Sequence, residues 1–459
     1  MHSHRDPARV FQVLLHHPAV RALVRAATAE GVDAHLVGGV LRDRLLGLPS
    51  RDLDGVVGDR GEAVGQRMAG ELGARLVHLG GKDFGAYRLV RGTGGGRSGV
   101  GPVEDWVLDL WDREGVALTS DLARRDLTVN SIAVGLPDGE LIDPHGGVAD
   151  LRHRLLRATT PESFSGDPLR VLRLPRLLAQ LPGFSAEPAT LGLARRSAAA
   201  LAGVASERVR DELALLFYQP DAHRAVAVLS ALDLYPGLWL GRPGELAAGA
   251  ESTTARAEAY AETGRLCGEL AHLAPTALRL RQIAGGDLFF PVRHRLARLA
   301  LTFANLPVGK RPRASLPAEL AGRALERFTA AGYLTRRDAA AVARLLPWDR
   351  LPGDEVGRRR FLHALGGLWT TAACYAGARG REEGPAWERA AAALIELYRR
   401  RGDEILVPPQ LLDGHEVGAI LGVAPGPEIG RALQELRRAQ VEGRVATREE
   451  AVRLVKRLL

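Results

Sequence analysis

The segment from Leu36 to Val57 constrains this chain most, because it combines a glycine turn and two carboxylates in one short unit. An apolar strand start leads into Gly38 and Gly39, and a short predicted helix separates this turn from a second predicted strand. That second strand carries Asp52 and Asp54, whose side chains share one face because side chains alternate along a strand. The unit is therefore predicted to place a pair of carboxylates beside a tight turn.

The chemistry of this unit indicates a nucleotide. Two like charges held this close are costly unless a cation lies between them, so Asp52 and Asp54 predict a divalent metal site. The Gly38-Gly39 turn allows backbone N–H groups to approach phosphate oxygens, and the helix behind it favours an anion at its start. Together these features predict a nucleoside triphosphate bound with Mg²⁺.

Composition sets the broad class. The 459 residues predict two to four domains, and 46% hydrophobic with 25% charged residues is typical of a globular protein in water. No apolar run is long enough to predict a membrane span, and the N-terminus lacks the layout of a signal peptide. Cys267 and Cys374 have no metal-ligand spacing, so we expect a cytoplasmic protein. The net charge of +8 suits a polyanionic partner, although an arginine-rich composition explains it equally well.

Periodicity divides the chain near residue 150. Predicted helices and strands alternate up to that point, which favours a small α/β nucleotide-binding domain. The glycine-rich stretch 92–101 predicts a hairpin loop rather than a phosphate loop, because no helix start follows it. From Leu151 onward strand signals nearly vanish and helical periodicity dominates, so a helical body is predicted.

Two further segments carry charged groups with the spacing of a binding site. In residues 121–134, Arg125 lies beside Asp126 and Asn130, which suits either triphosphate recognition or a solvated helix end. In residues 166–181, arginines recur every three positions after an aspartate, which predicts one stripe on a helix. That stripe could read a base and its phosphates, or it could be a solvated face. Its members are Asp167, Arg170, Arg173 and Arg176.

Five segments in order resemble the motifs of the class II tRNA nucleotidyltransferase and poly(A) polymerase family, of the bacterial CCA-adding type. The segments are GGVLRDRLLGLPSRDLD (38–54), DLARRDLTVNSIAV (121–134), LIDPHGGVADLRHRLLRA (141–158), DPLRVLRLPRLLAQL (167–181) and SERVRDELALL (206–216). The stretch 411–455 also resembles the tail of bacterial members. The resemblance therefore touches both ends of the chain.

The resemblance implies an α+β fold. A small nucleotidyltransferase head, similar to that of polymerase beta, would be followed by an elongated all-helical neck, body and tail. We expect the head with an N-terminal helical segment at 1–150, a base-reading neck at 151–220, a body at 221–380 and a tRNA-binding tail at 381–459. No histidine is followed by aspartate, so we expect no phosphohydrolase HD motif in the body.

The resemblance also implies an activity, which is template-independent addition of C and/or A to the 3′ end of tRNA from CTP and ATP. Asp52 and Asp54 would be catalytic and hold Mg²⁺ ions, one activating the RNA 3′-hydroxyl and one the departing pyrophosphate. Asp167 and Arg170 would read the incoming base by hydrogen bonds. The implied nucleotide-binding residues are Gly38, Gly39, Arg42, Arg125, Asp167, Arg170, Arg173 and Arg176.

Departures from the family pattern keep the specificity open. Gly166 stands where many CCA-adding members have Glu. Only ten residues separate Leu110 from Asp121, where members that add the final A usually have a longer flexible element. Full CCA addition, CC addition, A addition and poly(A) synthesis therefore stay as alternatives, as does an inactive RNA-binding protein. Asp109 is either a third catalytic carboxylate or an ordinary strand residue.

Overall fold

The computed structural model divides into two compact units, and each is described by itself. The first unit comprises residues 1–174 and 181–200, and the second comprises 175–180 and 201–459. The structure describes residues 7–50, 52–79, 85–90, 106–219, 221–232, 234, 334–379 and 384–458, with short pieces between 269 and 330. The predicted hairpin loop 92–101 lies outside the described residues.

The first unit is built on a seven-stranded sheet of order β3-β4-β5-β2-β1-β6-β7. β2 and β5 run parallel, and the other neighbouring strands are antiparallel. A separate parallel pair, β8 and β9, lies beyond the predicted strand-rich region. The strands are β1 (Ala34–Val37), β2 (Asp52–Val57), β3 (Arg75–His78), β4 (Ala86–Val90), β5 (Val107–Asp112), β6 (Ala133–Leu136), β7 (Leu141–Ile142), β8 (Leu155–Leu156) and β9 (Ser185–Ala186).

The first unit also contains helices. They are α1 (Pro7–Leu15), α2 (Pro18–Glu30), α3 (Gly39–Leu45), α4 (Gly61–Leu72), α5 (Leu118–Ala123), α6 (Gly147–His153) and α8 (Pro188–Ser197), and α7 (Arg170–Gln180) crosses the division between the units. Of these helices, α2, α3 and α4 contact the sheet. The helical segment expected before β1 is two helices, because His17 caps α2 through its Nδ1 and Pro18 occupies the first turn. The helix expected from Asp167 begins three residues later, at Arg170.

The core of the first unit explains where the charged groups can lie. Val37, Val56, Leu122 and Ala133 form one buried cluster on β1, β2, α5 and β6. Side chains alternate along β2, so Leu53 is buried on one face and Asp52, Asp54 and Val56 share the other. Along that second face burial increases from the exposed Asp52 through the partly buried Asp54 to the buried Val56. The strand thus keeps its apolar residues in the core and presents its two carboxylates near its first residue.

The described part of the second unit is helical. Its helices are α9 (Ser206–Tyr218), α10 (Ala222–Ala231), α11 (Arg336–Leu345), α12 (Glu355–Leu365), α13 (Trp369–Arg379), α14 (Gly384–Leu406), α15 (Gly414–Leu421), α16 (Pro427–Glu442) and α17 (Arg448–Lys456). Capping boxes begin α15 and α17, with Asp413 paired to Glu416 and Thr447 to Glu450. These local signals fix the starts of both C-terminal helices.

The α+β class predicted from the sequence is confirmed, since a mixed sheet in the first unit is accompanied by a large helical portion. Among the helices in the described ranges, none is both long and apolar enough to cross a lipid bilayer.

Candidate active site

A row of three charged side chains crosses the sheet of the first unit. Asp54 on β2 is the register partner of Asp109 on β5, and Asp109 is also the register partner of Arg88 on β4. Register partners lie on the same face of a sheet with their side chains adjacent. The Arg88 guanidinium donates from Nε and Nη2 to the two oxygens of Asp109, each at 2.7 Å. Asp109 is therefore held between a cation and a second carboxylate.

Asp54 carries the most perturbed carboxylate of this row. Burial raises its pKa to about 6, and the negative charges of Asp109 and Asp52 add to the rise, although Arg125 and Arg173 oppose it. Asp52 lies two residues earlier on the same strand and is exposed. An ionised carboxylate in this position is unfavourable until a cation reaches it.

Gly38 makes the turn beside Asp54 possible. Its φ of +76° is in the left-handed region that favours glycine. A β-carbon at this position would lie 3.0 Å from Arg125 Nη1 and 3.4 Å from Asp54 Oδ2. The absent side chain therefore brings the backbone, a guanidinium and a carboxylate to one point, which is the space that a phosphate group needs.

Arg42 is a buried arginine whose guanidinium is occupied by the protein. It donates from Nε to Asp43 Oδ1 at 2.8 Å and from Nη1 to Asn130 Oδ1 at 2.7 Å. A β-carbon on Gly39 would lie 3.5 Å from Arg42 Nη2, so the guanidinium lies directly behind the turn. The observed role of Arg42 is to tie the glycine turn to the segment that carries Asn130.

Asp126 continues this network toward α7. Its Oδ1 accepts from Asn130 Nδ2 at 3.0 Å, and its Oδ2 lies 3.1 Å from Arg173 Nε. Burial opposes ionisation of Asp126, but the nearby Arg173 and the hydrogen bonds from Asn130 and the Leu127 N–H outweigh it and lower the pKa. Asp126 thus stays charged and fixes Arg173 within the first unit.

The guanidinium of Arg125 has an N–H donor without a hydrogen-bond partner among the described residues. It pairs with Asp121 four residues earlier at 3.3 Å, and its Nε is buried without a hydrogen-bond partner in the part of the chain that the structure describes. Its Nη1 faces Gly38. A partly buried guanidinium with unused donors beside a glycine turn is suited to binding an anion.

Asp167 and Arg170 lie at the start of α7 in the first unit. Asp167 Oδ1 accepts from the Leu169 N–H at 3.3 Å, and Arg170 donates from Nη1 to Ser163 O at 2.9 Å. The charge of Arg170 also contributes to the lowered pKa of Asp126. Of these two predicted base-reading residues, Arg170 is therefore electrostatically connected to the network that holds Arg173.

Arg176 belongs to the second unit, and its guanidinium is engaged there. Arg176 pairs through Nε with the buried Glu212 of α9, and its Nη1 donates to Gln180 Oε1 at 3.2 Å. The stripe expected from the spacing of the three arginines thus consists of groups with three different partners.

The donor set fits a divalent cation held by two carboxylates. Within the described residues neither Asp52 nor Asp54 forms an ion pair, and the raised pKa of Asp54 marks negative charge that a cation would stabilise. Over the described ranges, no three His, Cys, Asp or Glu side chains converge as a possible metal-binding group.

Arg88 is the charged residue at this site that the sequence did not single out. Its only local signal is the alternation of β4, in which Arg88 is exposed between the buried Tyr87 and Leu89. An arginine on the open face of a strand is ordinary, so its pairing with Asp109 is visible only once the strand register is known.

Family models match two parts of the chain. Residues 99–157 match a model described as the poly A polymerase head domain. Residues 183–239 match one described as the probable RNA and SrmB-binding site of polymerase A. The first match begins after Asp52 and Asp54, so it does not include the carboxylate pair.

Relatives of similar length are tRNA nucleotidyltransferases. The chain is 31% identical over 446 residues to the CC-adding tRNA nucleotidyltransferase of Geobacter sulfurreducens, covering 95% of this chain and 94% of the relative. It is 34% identical over 450 residues to the A-adding enzyme of Deinococcus radiodurans, covering 92% and 95%. A multifunctional CCA protein of Xylella fastidiosa is 40% identical, but over 44% of this chain and 50% of the relative.

Solved structures share the fold. A CCA-adding enzyme in complex with ATP superposes with a TM-score of 0.64 at 19% identity, covering 98% of this chain and 97% of that one. The Thermotoga maritima CCA-adding enzyme complexed with tRNA gives a TM-score of 0.60 at 20% identity, covering 98% of each chain. At this identity the likeness concerns the arrangement of the backbone.

Proposed function

We propose that this chain, which belongs to the tRNA nucleotidyltransferase and poly(A) polymerase family, adds C and/or A nucleotides to the 3′ end of tRNA from CTP or ATP. Enzymes of this family generally depend on divalent metal ions. The observation that carries the proposal is the meeting of Asp54, Arg125 and the Gly38 turn in a chain that aligns almost end to end with such enzymes.

The reaction needs an anionic substrate to be held and a hydroxyl to be activated. The 3′-oxygen of the RNA forms a bond to the α-phosphorus, and the bond between that phosphorus and the oxygen bridging to the β-phosphate breaks. Pyrophosphate leaves with the bridging oxygen, and the hydroxyl proton passes to solvent water. We assign Asp52 and Asp54 to hold Mg²⁺, which when bound supplies charge stabilisation for this displacement.

The remaining site residues position the nucleotide. The unused donors of Arg125 and the backbone at Gly38 are placed to bind phosphate oxygens, with Gly39 extending the same turn. Arg173, held by Asp126, adds positive charge toward Asp54. Arg42 supports the turn through Asn130, and in this assignment it acts on the nucleotide indirectly.

Base selection is assigned to the start of α7. Asp167 offers acceptors and Arg170 offers donors, which together match the hydrogen-bonding edge of a base. We also assign Arg176, further along this helix, as a nucleotide contact. Such a contact requires its guanidinium to leave Glu212.

A CC-adding specificity is the second candidate, and a short connection favours it. Residues 113–117 alone join β5 to α5, where members that add the final A usually have a longer element. Relatives aligned over nine-tenths of this chain include CC-adding and A-adding enzymes, whereas the multifunctional CCA protein aligns over less than half. A split specificity is therefore a direct alternative to full CCA addition.

The test uses three tRNA transcripts, ending before CCA, after C and after CC, each with Mg²⁺ and with CTP and ATP supplied singly and together, one of them labelled. Completion of CCA on all three supports the full activity, and a stop after CC supports the CC-adding enzyme. One A on the CC-ended transcript alone indicates an A-adding enzyme, and long A tails indicate poly(A) synthesis. No incorporation on any transcript overturns the proposal in favour of an inactive RNA-binding protein.

A further inference from the structure

Asn130 is a buried amide at the centre of a chain of charged side chains. Its Oδ1 accepts from Arg42 Nη1 at 2.7 Å, and its Nδ2 donates to Asp126 Oδ1 at 3.0 Å. Arg42 pairs in turn with Asp43 at 2.7 Å. On the other side, Asp126 Oδ2 lies 3.1 Å from Arg173 Nε. The amide thus joins the helix that follows the glycine turn to an arginine of α7.

The order of charges in this chain requires a neutral amide at position 130. Arginine can only donate and an ionised carboxylate can only accept, so the Asn130 oxygen must face Arg42 and its nitrogen must face Asp126. A carboxylate in its place would face the carboxylate of Asp126, and a cation would face the guanidinium of Arg42. All three side chains are buried, so water would screen either repulsion poorly. An amide therefore satisfies both neighbours where a charged side chain cannot.

The backbone around Asn130 is held by contacts that do not involve its side chain. The Thr128 hydroxyl donates to Asp150 Oδ2 at 2.6 Å, and the Thr128 N–H donates to Arg157 O at 2.9 Å. A β-carbon on Gly147 would lie 2.2 Å from Thr128 O, so α6 packs directly on the turn that carries Asn130. The amide can therefore be replaced while this turn keeps its place, and the effect of replacement reports the two side-chain hydrogen bonds.

Both sides of this chain of contacts lead to the proposed nucleotide site. The Gly38 N–H donates to Ile132 O at 3.1 Å, and a β-carbon on Gly38 would lie 3.8 Å from Asn130 O. On the other side, the charge of Arg173 acts on Asp54, the carboxylate proposed to bind metal. A shift of the Asn130 amide would therefore be transmitted to the phosphate-binding turn and to a cation beside Asp54.

We propose that Asn130 is a positioning residue whose amide fixes the separation between the glycine turn and Arg173, and thereby sets the affinity for the triphosphate of the nucleotide. This inference rests on the proposed nucleotidyl transfer. In this role Asn130 acts through Arg42 on one side and through Asp126 on the other, without touching the nucleotide. Contacts to phosphates are made before and during the reaction alike, so the effect should fall on the KM for the nucleotide.

The first experiment measures binding of CTP and ATP to the full chain with Mg²⁺ and without tRNA, by equilibrium dialysis. Asn130→Ala removes both hydrogen bonds without adding charge, and it should weaken binding about tenfold. Asn130→Asp keeps the acceptor for Arg42 but places a second carboxylate against Asp126, and it should weaken binding about thirtyfold. Each nucleotide that the wild type binds should lose affinity by the same factor, because the displaced groups face the phosphates. A loss confined to one base overturns the proposal.

Steady-state incorporation separates positioning from loss of structure. In Asn130→Ala the KM for the nucleotide should rise about tenfold, while kcat and the KM for tRNA change less than about threefold. A variant that is only less folded contains fewer active molecules, so its apparent kcat falls while its nucleotide KM stays unchanged. That outcome overturns the proposal. Should Asn130→Ala lose its fold by circular dichroism, Asn130→Asp, which has the shape of the wild-type side chain, undergoes the same measurements.

Ser131→Ala is the matched control. Ser131 is also buried, and its hydroxyl donates to Leu122 O at 2.7 Å, outside the chain of contacts around Asn130. Its replacement should therefore keep nucleotide affinity within about twofold of the wild type. An equal loss of affinity in Ser131→Ala and Asn130→Ala would show a general effect of buried polar groups and overturn the proposal.

A double variant tests the route through Arg173. In an Arg173→Gln background, Asn130→Ala should weaken nucleotide binding at most about threefold, since most of its effect passes through the missing guanidinium. A further loss of about tenfold in that background would mean independent effects and overturn the proposal. If the wild type binds neither nucleotide, the proposed function itself fails. Equal affinities of the wild type and Asn130→Ala remove only the role given to Asn130.

Discussion

Two carboxylates in this chain, the partly buried Asp54 and the buried Glu442, have opposite surroundings. Asp54 in the first unit lies near two other carboxylates, and burial together with their charge raises its pKa to about 6. Glu442 ends α16 in the second unit, where burial alone would also raise the pKa. Hydrogen bonds from Arg360, Arg444 and Arg438 outweigh that burial and hold the pKa at about 2.

The difference lies in whether the protein itself balances the charge of the carboxylate. Glu442 Oε1 accepts from Arg438 Nε at 3.0 Å and its Oε2 from Arg444 Nε at 2.8 Å, so its charge is satisfied by the protein. Asp54 has cations nearby but stays difficult to ionise. In this pair, the raised pKa belongs to the carboxylate that we propose binds metal, and the lowered pKa belongs to the carboxylate whose charge the protein itself balances.

The comparison is tested most strongly by Asp54→Asn. Nucleotide incorporation should fall on the order of a thousandfold or more, because the carboxylate that a metal needs is gone. In metal-free buffer at pH 7 the free energy of unfolding should rise by about 1 kcal/mol, because an unfavourable buried charge is removed. Labelled-nucleotide assays and urea unfolding measure the two effects.

Binding of tRNA provides the control for this variant. Phosphate contacts by arginines carry most of the affinity for RNA, so the dissociation constant for tRNA should change less than about twofold. The same expectation holds for Asp52→Ala, which should abolish incorporation while it leaves tRNA binding largely intact. A parallel loss of binding and incorporation would contradict a metal role for either residue.

Glu442→Gln should have the reverse profile. The three surrounding arginines would face one another without their shared counter-charge, and the free energy of unfolding should fall by about 2 kcal/mol. Glu435→Gln is the matched control, since Glu435 lies 3.1 Å from Arg444 but is more exposed, and it should cost less than about 0.5 kcal/mol. If urea unfolding gives the same loss of unfolding free energy for both variants, Glu442 stabilises the fold no more than Glu435 does.

The two carboxylates should also respond to pH with opposite signs. Because the folded-state pKa of Glu442 is lowered, its stabilising contribution is complete above its unfolded pKa and is lost as pH falls toward 2. The gap in stability between wild type and Glu442→Gln should thus narrow from pH 7 to pH 3. The gain in Asp54→Asn should be complete above pH 6, where Asp54 is ionised in both the folded and the unfolded wild type. It should shrink as the pH falls through 6 and be gone below the ordinary aspartate pKa of about 4, where the residue is protonated in both states. Thermal unfolding at several pH values measures both gaps.

Local signals were sufficient for the first half of the site. The alternation along β2 predicts that Asp52 and Asp54 share a face, and two glycines predict the turn that the structure places beside Asp54. These features depend on neighbours within a few residues, where periodicity and backbone preference decide the outcome. The α+β class followed from the same signals together with the order of the five family motifs.

Long-range partners were beyond the sequence. Arg42 meets Asn130 across 88 positions, and Arg88 meets Asp109 only because β4 and β5 adopt one particular register. The start of α7 was also placed too early, because a turn around Asp167 precedes Arg170. Such contacts depend on strand order and packing, which no local pattern contains.

The smallest predicted effect concerns the three arginines that hydrogen-bond Glu442, and it tests whether one of them can be removed without loss. Arg438 is 61% exposed and is one of three arginines on Glu442, so Arg438→Gln should lower the free energy of unfolding by only about 0.5 kcal/mol. Arg360 and Arg444 would still hold the carboxylate, and the pH dependence of stability should keep its wild-type shape. A loss as large as that of Glu442→Gln in urea unfolding would mean that one guanidinium alone neutralises Glu442. The charge of Glu442 would then be balanced by a single arginine, as the charge of Asp109 is balanced by Arg88. The number of arginines around the carboxylate would then no longer distinguish the two regions.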